Sequence, residues 1–256
     1  MSLPTSEFAD LVVGSTIVGA AHRGVERSDS PLGPGGDLLG GVVPCRGARL
    51  TDLVWRQPTL AAPNATARLT MTITRWRAES AAGRVHGALR LVGAADELLA
   101  SGESKWEVPG AQGTATPERI AWDVGSLAWG RRIADELGKD PAFASTTATF
   151  DGTIGIASGD DEIHLRIYRG AIIEVAPKAL AGSTFTVWAS ELTWVEMLQS
   201  PRLDYVRRAS SRQFTTRGNS FEYLRMFKAL MLLVEQARAN VAEQIVATNA
   251  TEVDDA

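Results

Sequence analysis

The sequence predicts an α+β chain of two units, and three observations predict it. In the first half, strand-like stretches of alternating polarity follow one another with no long helical pattern between them. In the second half, short alternating stretches are interleaved with helical periodicities, and the chain closes on a long apolar helix opened by Asn219. Between the halves, residues 111–116 (AQGTAT) are small and polar and run up to Pro117, the composition of a linker. A length of 256 residues gives each unit room to bury its own core. The expected boundaries are 1–112 and 117–247, with 248–256 as a flexible polar tail.

The opening stretch FADLVVGSTIVGAAHRGVE is rich in strand formers and broken by Gly14. Residues 28–41, SDSPLGPGGDLLGG, are so dense in glycine and proline that no regular element is expected there, only a turn-rich loop or a moving lid. ARLTDLVWRQPTL then supplies a strand ended by Pro58. In the next strand Leu69, Met71 and Ile73 alternate with Thr70, Thr72 and Thr74, the pattern of one dry and one wet face. Val85, Gly87, Leu89 and Leu91 share one side of the following strand, and ELLASGESKWEV runs to Pro109. Three long antiparallel strands in succession need a cover for their apolar face.

The second half begins with a single helix expected over 120–138, carrying Ile120, Trp122, Leu127, Trp129 and Ile133 and closed by Gly138. A strand over 185–188 places Phe185 and Val187 on one face and Thr186 and Trp188 on the other. Ser190 caps a helix over 191–198 whose stripe is Leu192, Val195 and Leu198, widened by Trp194 and Met197. Pro201 turns the chain into a charged linker, and 213–217 form a strand before Gly218. Asn219 and Glu222 have the spacing of a capping box for the last helix. That helix carries Phe221, Leu224, Phe227, Leu230, Met231 and Val234, more than one stripe, and so needs cover from the sheet and from something else.

Composition excludes several classes. The formal charge of −4 gives no general reason to bind nucleic acid or an anionic membrane, and Arg207, Arg208 and Arg212 read as a solvated basic face. The single cysteine, Cys45, excludes an internal disulfide and reads as a small buried residue. No apolar run has the length of a membrane span, and the N-terminus lacks the pattern of a signal peptide, so a cytoplasmic protein without an integral membrane segment is expected. His22, His86 and His164 have no defensible metal-ligand spacing, and no nucleophile elbow, phosphate loop or dinucleotide fingerprint is present, so no metal and no cofactor are expected.

The pieces FDGTIGI, HLRIYRG, FTVWAS followed by Trp194, and RGN followed by Tyr223-Leu224 occur in an order that resembles the sterol-carrier-protein family of lipid-binding domains, over roughly 120–238. The resemblance implies a mixed sheet backed by helices around an apolar tunnel for acyl chains, acyl thioesters or sterols, with no catalytic motif. It makes Trp188, Trp194, Met197, Phe214, Tyr223, Phe227 and Met231 the candidate ligand-binding residues, beside the plain reading of these side chains as core. Asp204, Tyr205, Tyr223 and His164 are weak catalytic candidates; a solvated turn also accounts for Asp204 and Tyr205.

The strand order over 49–108, ELLASGESKWEV above all, resembles the later half of a hot-dog fold of the MaoC-like hydratase/dehydratase kind, which implies a homodimer. The active family carries an aspartate and a histidine in G-D-x-N-P-L-H. Here Asp29 echoes the aspartate in SDSPLG, but Gly33 stands in the place of the histidine, and glycine supplies no acid or base. Three readings follow: a binder of an apolar small molecule (lipid, acyl thioester, sterol-like or polyketide-like), a cyclase-type biosynthetic enzyme folding such a substrate in the same cavity, and a structural dimer, with a MaoC-like enoyl-thioester hydratase/dehydratase as a further alternative. Hydration of crotonyl or longer enoyl thioesters is expected to be undetectable in a coupled absorbance assay; measurable turnover would overturn the reading of Gly33.

Overall fold

A computed structural model of the protein describes residues 7–23, 36–56, 66–78, 82–111, 116–178 and 182–254. Asp29, Gly33 and most of the linker lie outside the described residues. The fold is α+β, with one antiparallel and one mixed sheet. By contacts the chain divides into two compact units, Met1–Ala115 and Thr116–Ala256.

The first unit is built on β1 (Thr16–Arg23), β2 (Arg49–Arg56), β3 (Thr66–Ala78), β4 (Ala82–Gly93) and β5 (Leu98–Pro109). They form one sheet in the order β1-β3-β4-β5-β2, every neighbouring pair antiparallel. Leu69 pairs with Leu91 and Met71 with Leu89, so the buried face is a ladder of aliphatic cross-strand pairs. The alternation fails at Thr74, expected on the wet face but buried. A register shift between Ile73 and Arg75 inserts a residue and returns Trp76 to the core. Trp76 stacks on Phe8 at 4.5 Å and donates its indole N–H to the Phe8 carbonyl at 2.8 Å. Gly83 makes room for this pair, since a Cβ there would lie 2.2 Å from the Phe8 ring.

The expectation of no regular element in 28–41 is corrected in part. Gly36–Gly41 forms a short 3-10 helix whose Leu38 and Leu39 are buried and which packs on β1 and β3. Two adjacent leucines outweigh the flanking glycines because their burial returns about 1.5–3 kcal/mol each. Cys45 is fully buried, and burial, followed by the charge of Glu7, pushes its thiol up to about 11.

The second unit comprises α1 (Pro117–Trp122), α2 (Leu127–Leu137), α3 (Pro141–Thr146), β6 (Asp151–Ser158), β7 (Asp161–Tyr168), β8 (Ala171–Pro177), β9 (Phe185–Ala189), α4 (Glu191–Gln199), α5 (Tyr205–Ser210), β10 (Phe214–Gly218), α6 (Ser220–Arg225) and α7 (Phe227–Asp254). Its sheet runs β10-β9-β6-β7-β8, with β6 and β9 parallel and the other pairs antiparallel. One face, bearing Ile154, Ile156, Ile163, Leu165, Phe185 and Val187, lies in a core shared with the helices.

Four local expectations change. The single helix over 120–138 is two helices, because Gly125 takes φ +89 and Ser126 starts a new helix by accepting the Trp129 N–H. The charged linker contains the short helix α5. The last helix breaks at Met226, and although Asn219 caps α6 by accepting the Phe221 and Glu222 N–H groups, Glu222 turns away to bond Arg225. Helix α7 continues through 248–254, the stretch expected as a tail, as the helix propagates through alanine and glutamate. Replacing Asn219 by Ala removes that cap and is expected to cost about 1 kcal/mol, read as a lower urea midpoint at unchanged slope, while Asn219→Asp keeps it.

Candidate functional site

The most developed side-chain constellation of the second unit lies where α4, α5, α6 and the start of α7 cover β9 and β10. Strand alternation turns Phe185 and Val187 of β9 toward the helices, and Phe214 of β10 joins them in the core. Helix α4, capped by the Ser190 side chain on the Thr193 N–H, brings Trp194 and Met197 inward at 1% and 0% exposure. Trp194 donates to the Ala157 carbonyl at 2.9 Å and meets Phe214 edge-on at 4.9 Å. Tyr205 of α5 lies 4.8 Å from Phe214 and 6.0 Å from Phe227, and Tyr223 of α6 makes edge contacts with Phe185 and Phe227.

These rings are held in mutual contact, and the hydroxyls of Tyr205 and Tyr223 approach to 3.4 Å. Burial is the main cause, with the Tyr223 hydroxyl second, that holds the Tyr205 phenol above its ordinary range. A phenol so placed stays protonated at neutral pH, where it can both donate and accept a hydrogen bond. Tyr223, Phe227 and Met231 are half-buried, together with Leu203 and Leu232, and form the outer layer over the buried floor. Phe221 and Leu224 of α6 stand open to solvent at 70% and 68%.

Six of the seven candidate ligand-binding residues thus belong to one cluster. The seventh, Trp188, occupies the other face of β9, where it donates to the Gly159 carbonyl at 2.9 Å and lies 6.0 Å beneath the Arg217 guanidinium. His164 also falls on that other face, since its neighbours Ile163 and Leu165 point into the core. Asp204 sits beside Tyr205 in sequence, but its carboxylate accepts from Arg208 at 2.9 Å. Arg208 also reaches Glu196 at 2.8 Å and Gln213 at 3.0 Å, tying α4, α5 and the approach to β10 together, so it is an internal tie and not part of a solvated face.

The sequence reading missed a polar cluster around His164. The imidazole, 2% exposed, hydrogen-bonds Glu162 at 2.8 Å, Thr186 donates to the same carboxylate at 3.0 Å, and Ser183 lies 2.7 Å from the Thr186 hydroxyl. The signal was the spacing Glu162-x-His164, which puts both side chains on one face of a strand. Burial pushes the Glu162 carboxyl up, but the bonds from His164 and Thr186 and the attraction of His164 and Lys178 outweigh it, leaving the group below the usual range. Among the described residues no group of three or more His, Cys, Asp or Glu is placed to hold a metal ion, and no helix is long and apolar enough to cross a membrane.

No protein-family model and no curated protein matches the chain. Solved structures resemble parts of it. Sterol carrier protein 2 matches at 20% identity over 44% of this chain and 96% of its own, with a TM-score of 0.40. A MaoC-like dehydratase from Rhodospirillum rubrum matches at 16% over 40% of this chain and 94% of its own, with a TM-score of 0.33. An R-hydratase from Pseudomonas aeruginosa matches at 14% over 41% of this chain and 86% of its own, also at 0.33. Each is a likeness of part of this chain and carries nothing about what the chain binds.

The depressed Glu162 pKa has a defined consequence for stability. Its contribution is fully present above the unfolded-state value, about 4.3, and is lost as pH falls through the lower folded-state value. Glu162→Gln is therefore expected to lower stability at pH 7 by about 1 kcal/mol or more, with the difference from the parent shrinking toward pH 3. Urea midpoints at the two pH values check this, and a constant difference counts against it.

Proposed function

We propose that the second unit binds an apolar small molecule, a lipid, acyl thioester, sterol-like or polyketide-like compound, between the α6–α7 elbow and the aromatic floor beneath it. One observation carries the reading. A run of ring contacts leads from half-buried Tyr223 and Phe227 to buried Phe185, Tyr205, Phe214 and Trp194, and the helix that carries Tyr223 also carries exposed Phe221 and Leu224. Ligand sites are mostly apolar with a few placed polar groups, and the paired hydroxyls of Tyr205 and Tyr223 are such groups here.

Ring centroids 4.8 to 6.0 Å apart are contact distances. In this reading the ligand enters by displacing Tyr223 and Phe227, with the break at Met226 as the hinge between α6 and α7. Tyr223, Phe227 and Met231 touch the ligand, while Trp194, Met197 and Phe214 back them from below. Enclosing an alkyl chain supplies about 0.8 kcal/mol per methylene. Pairing of two first units into a homodimer belongs to the same reading, and light scattering at micromolar concentration is then to return twice the 27.4 kDa chain mass.

A second reading, a cyclase-type enzyme, draws on the Tyr205 phenol. Held protonated beside the proposed ligand, it would polarise a carbonyl oxygen as a donor while the surrounding rings orient the chain. Displacement of a fluorescent fatty acid from the full chain separates the readings. Saturable binding is expected, weakened about tenfold by Phe227→Ala and left within about threefold by Tyr223→Phe. Loss of turnover in Tyr205→Phe at retained binding selects the enzyme. No saturable binding by the folded protein contradicts both.

A further inference from the structure

Residues 201–228 hold seven of the chain's 26 Lys and Arg and two of its 30 Asp and Glu, a formal charge of +5 in a chain whose total is −4. Two of the seven are committed, Arg208 to Asp204 and Glu196 and Arg225 to Glu222. Arg202, Arg207, Arg212 and Lys228 are exposed, as is Arg217, which lies over the Trp188 ring on the other face of the sheet. The Arg207 side chain is 85% open, and its approach to Asp204 is a distant 3.9 Å.

The same segment carries protruding apolar side chains: Val206 at 60%, Phe221 at 70% and Leu224 at 68% exposure. Phe221 and Leu224 are three apart on α6 and share a face. Helices α5 and α6 both pack on β10, and Tyr205, adjacent to Val206, meets Tyr223 across the gap, so the two helices are neighbours. Scattered surface hydrophobes are ordinary, but here three lie in one basic segment, two of them on one face of α6.

We propose that the α5–β10–α6 surface docks the protein peripherally on anionic lipid bilayers, with Phe221, Leu224 and Val206 entering the boundary between headgroups and acyl chains and Arg207 and Arg212 at the phosphates. Charge selects this occupant. A two-fold pairing of this patch with a second copy would face the +5 segment against itself, which repels. The whole-chain charge gives no reason for membrane binding; the segregation of charge within the chain does. The proposal goes beyond ligand binding and does not rest on it, because vesicle association is read without any ligand.

The test is sedimentation of the full chain with vesicles of phosphatidylcholine alone and of phosphatidylcholine mixed with phosphatidylserine. Binding to the mixed vesicles, weakened by salt, is expected. It is to fall at least about tenfold in Phe221→Ser/Leu224→Ser and in Arg207→Glu/Arg212→Glu. Thermal unfolding of both variants is to match the parent, since the altered side chains are exposed. Equal binding to both vesicle types, or undiminished binding by the variants, overturns the proposal. So does binding to polyglutamate without binding to vesicles, which assigns the patch to an acidic protein, and so does self-association that the apolar variant abolishes while vesicles are ignored.

Discussion

The second unit depends on burying one stripe of α7. Met226, just before it, and Ala229, Leu230, Leu233, Val234, Ala237 and Val241 are all within 2% of complete burial, and α1, α2, α3 and α4 all pack on this helix. At about 1.5–3 kcal/mol for each large aliphatic side chain, the stripe outweighs any single hydrogen bond or ion pair in the unit. The expectation that so apolar a helix needs cover from the sheet and from something else is met in large part by the four preceding helices. Its approach, α6, keeps Phe221 and Leu224 in water.

That asymmetry organises the functional reading. Deep in the unit the stripe is closed, whereas the elbow at Met226 leaves Tyr223 and Phe227 half-buried between the floor and the surface. A helix that ends and restarts after six residues has few hydrogen bonds to lose, so local opening there costs less than opening α7. The Arg208 network ties α4 to α5 beside it.

Much of this was legible in the sequence because the signals are local. The capping residues Ser190 and Asn219 announce their helices, and the alternation of β9 separates Phe185 and Val187 from Trp188. What was not legible depended on distant partners. Thr74 moves to the core because a register shift against β4 inserts a residue, and Tyr205 finds Tyr223 only when α5 and α6 meet over β10. Helix α5 has six residues, four of them Val, Arg, Arg and Ser, too short and too polar for a periodic pattern to emerge. The split of the helix over 120–138 was readable, since Gly125-Ser126 is a break followed by a cap.

The central claim is that the α6–α7 elbow is the yielding part of an otherwise closed apolar unit and that an apolar ligand closes it. Hydrogen–deuterium exchange of the full chain, with and without a saturating long-chain fatty acid, tests this most directly. The account predicts fast exchange across residues 220–231 in the free protein, slow exchange in α4 and in 233–241, and protection of 220–231 alone on adding the fatty acid. Exchange in 220–231 that is as slow as in the rest of α7, and unchanged by the fatty acid, would contradict it.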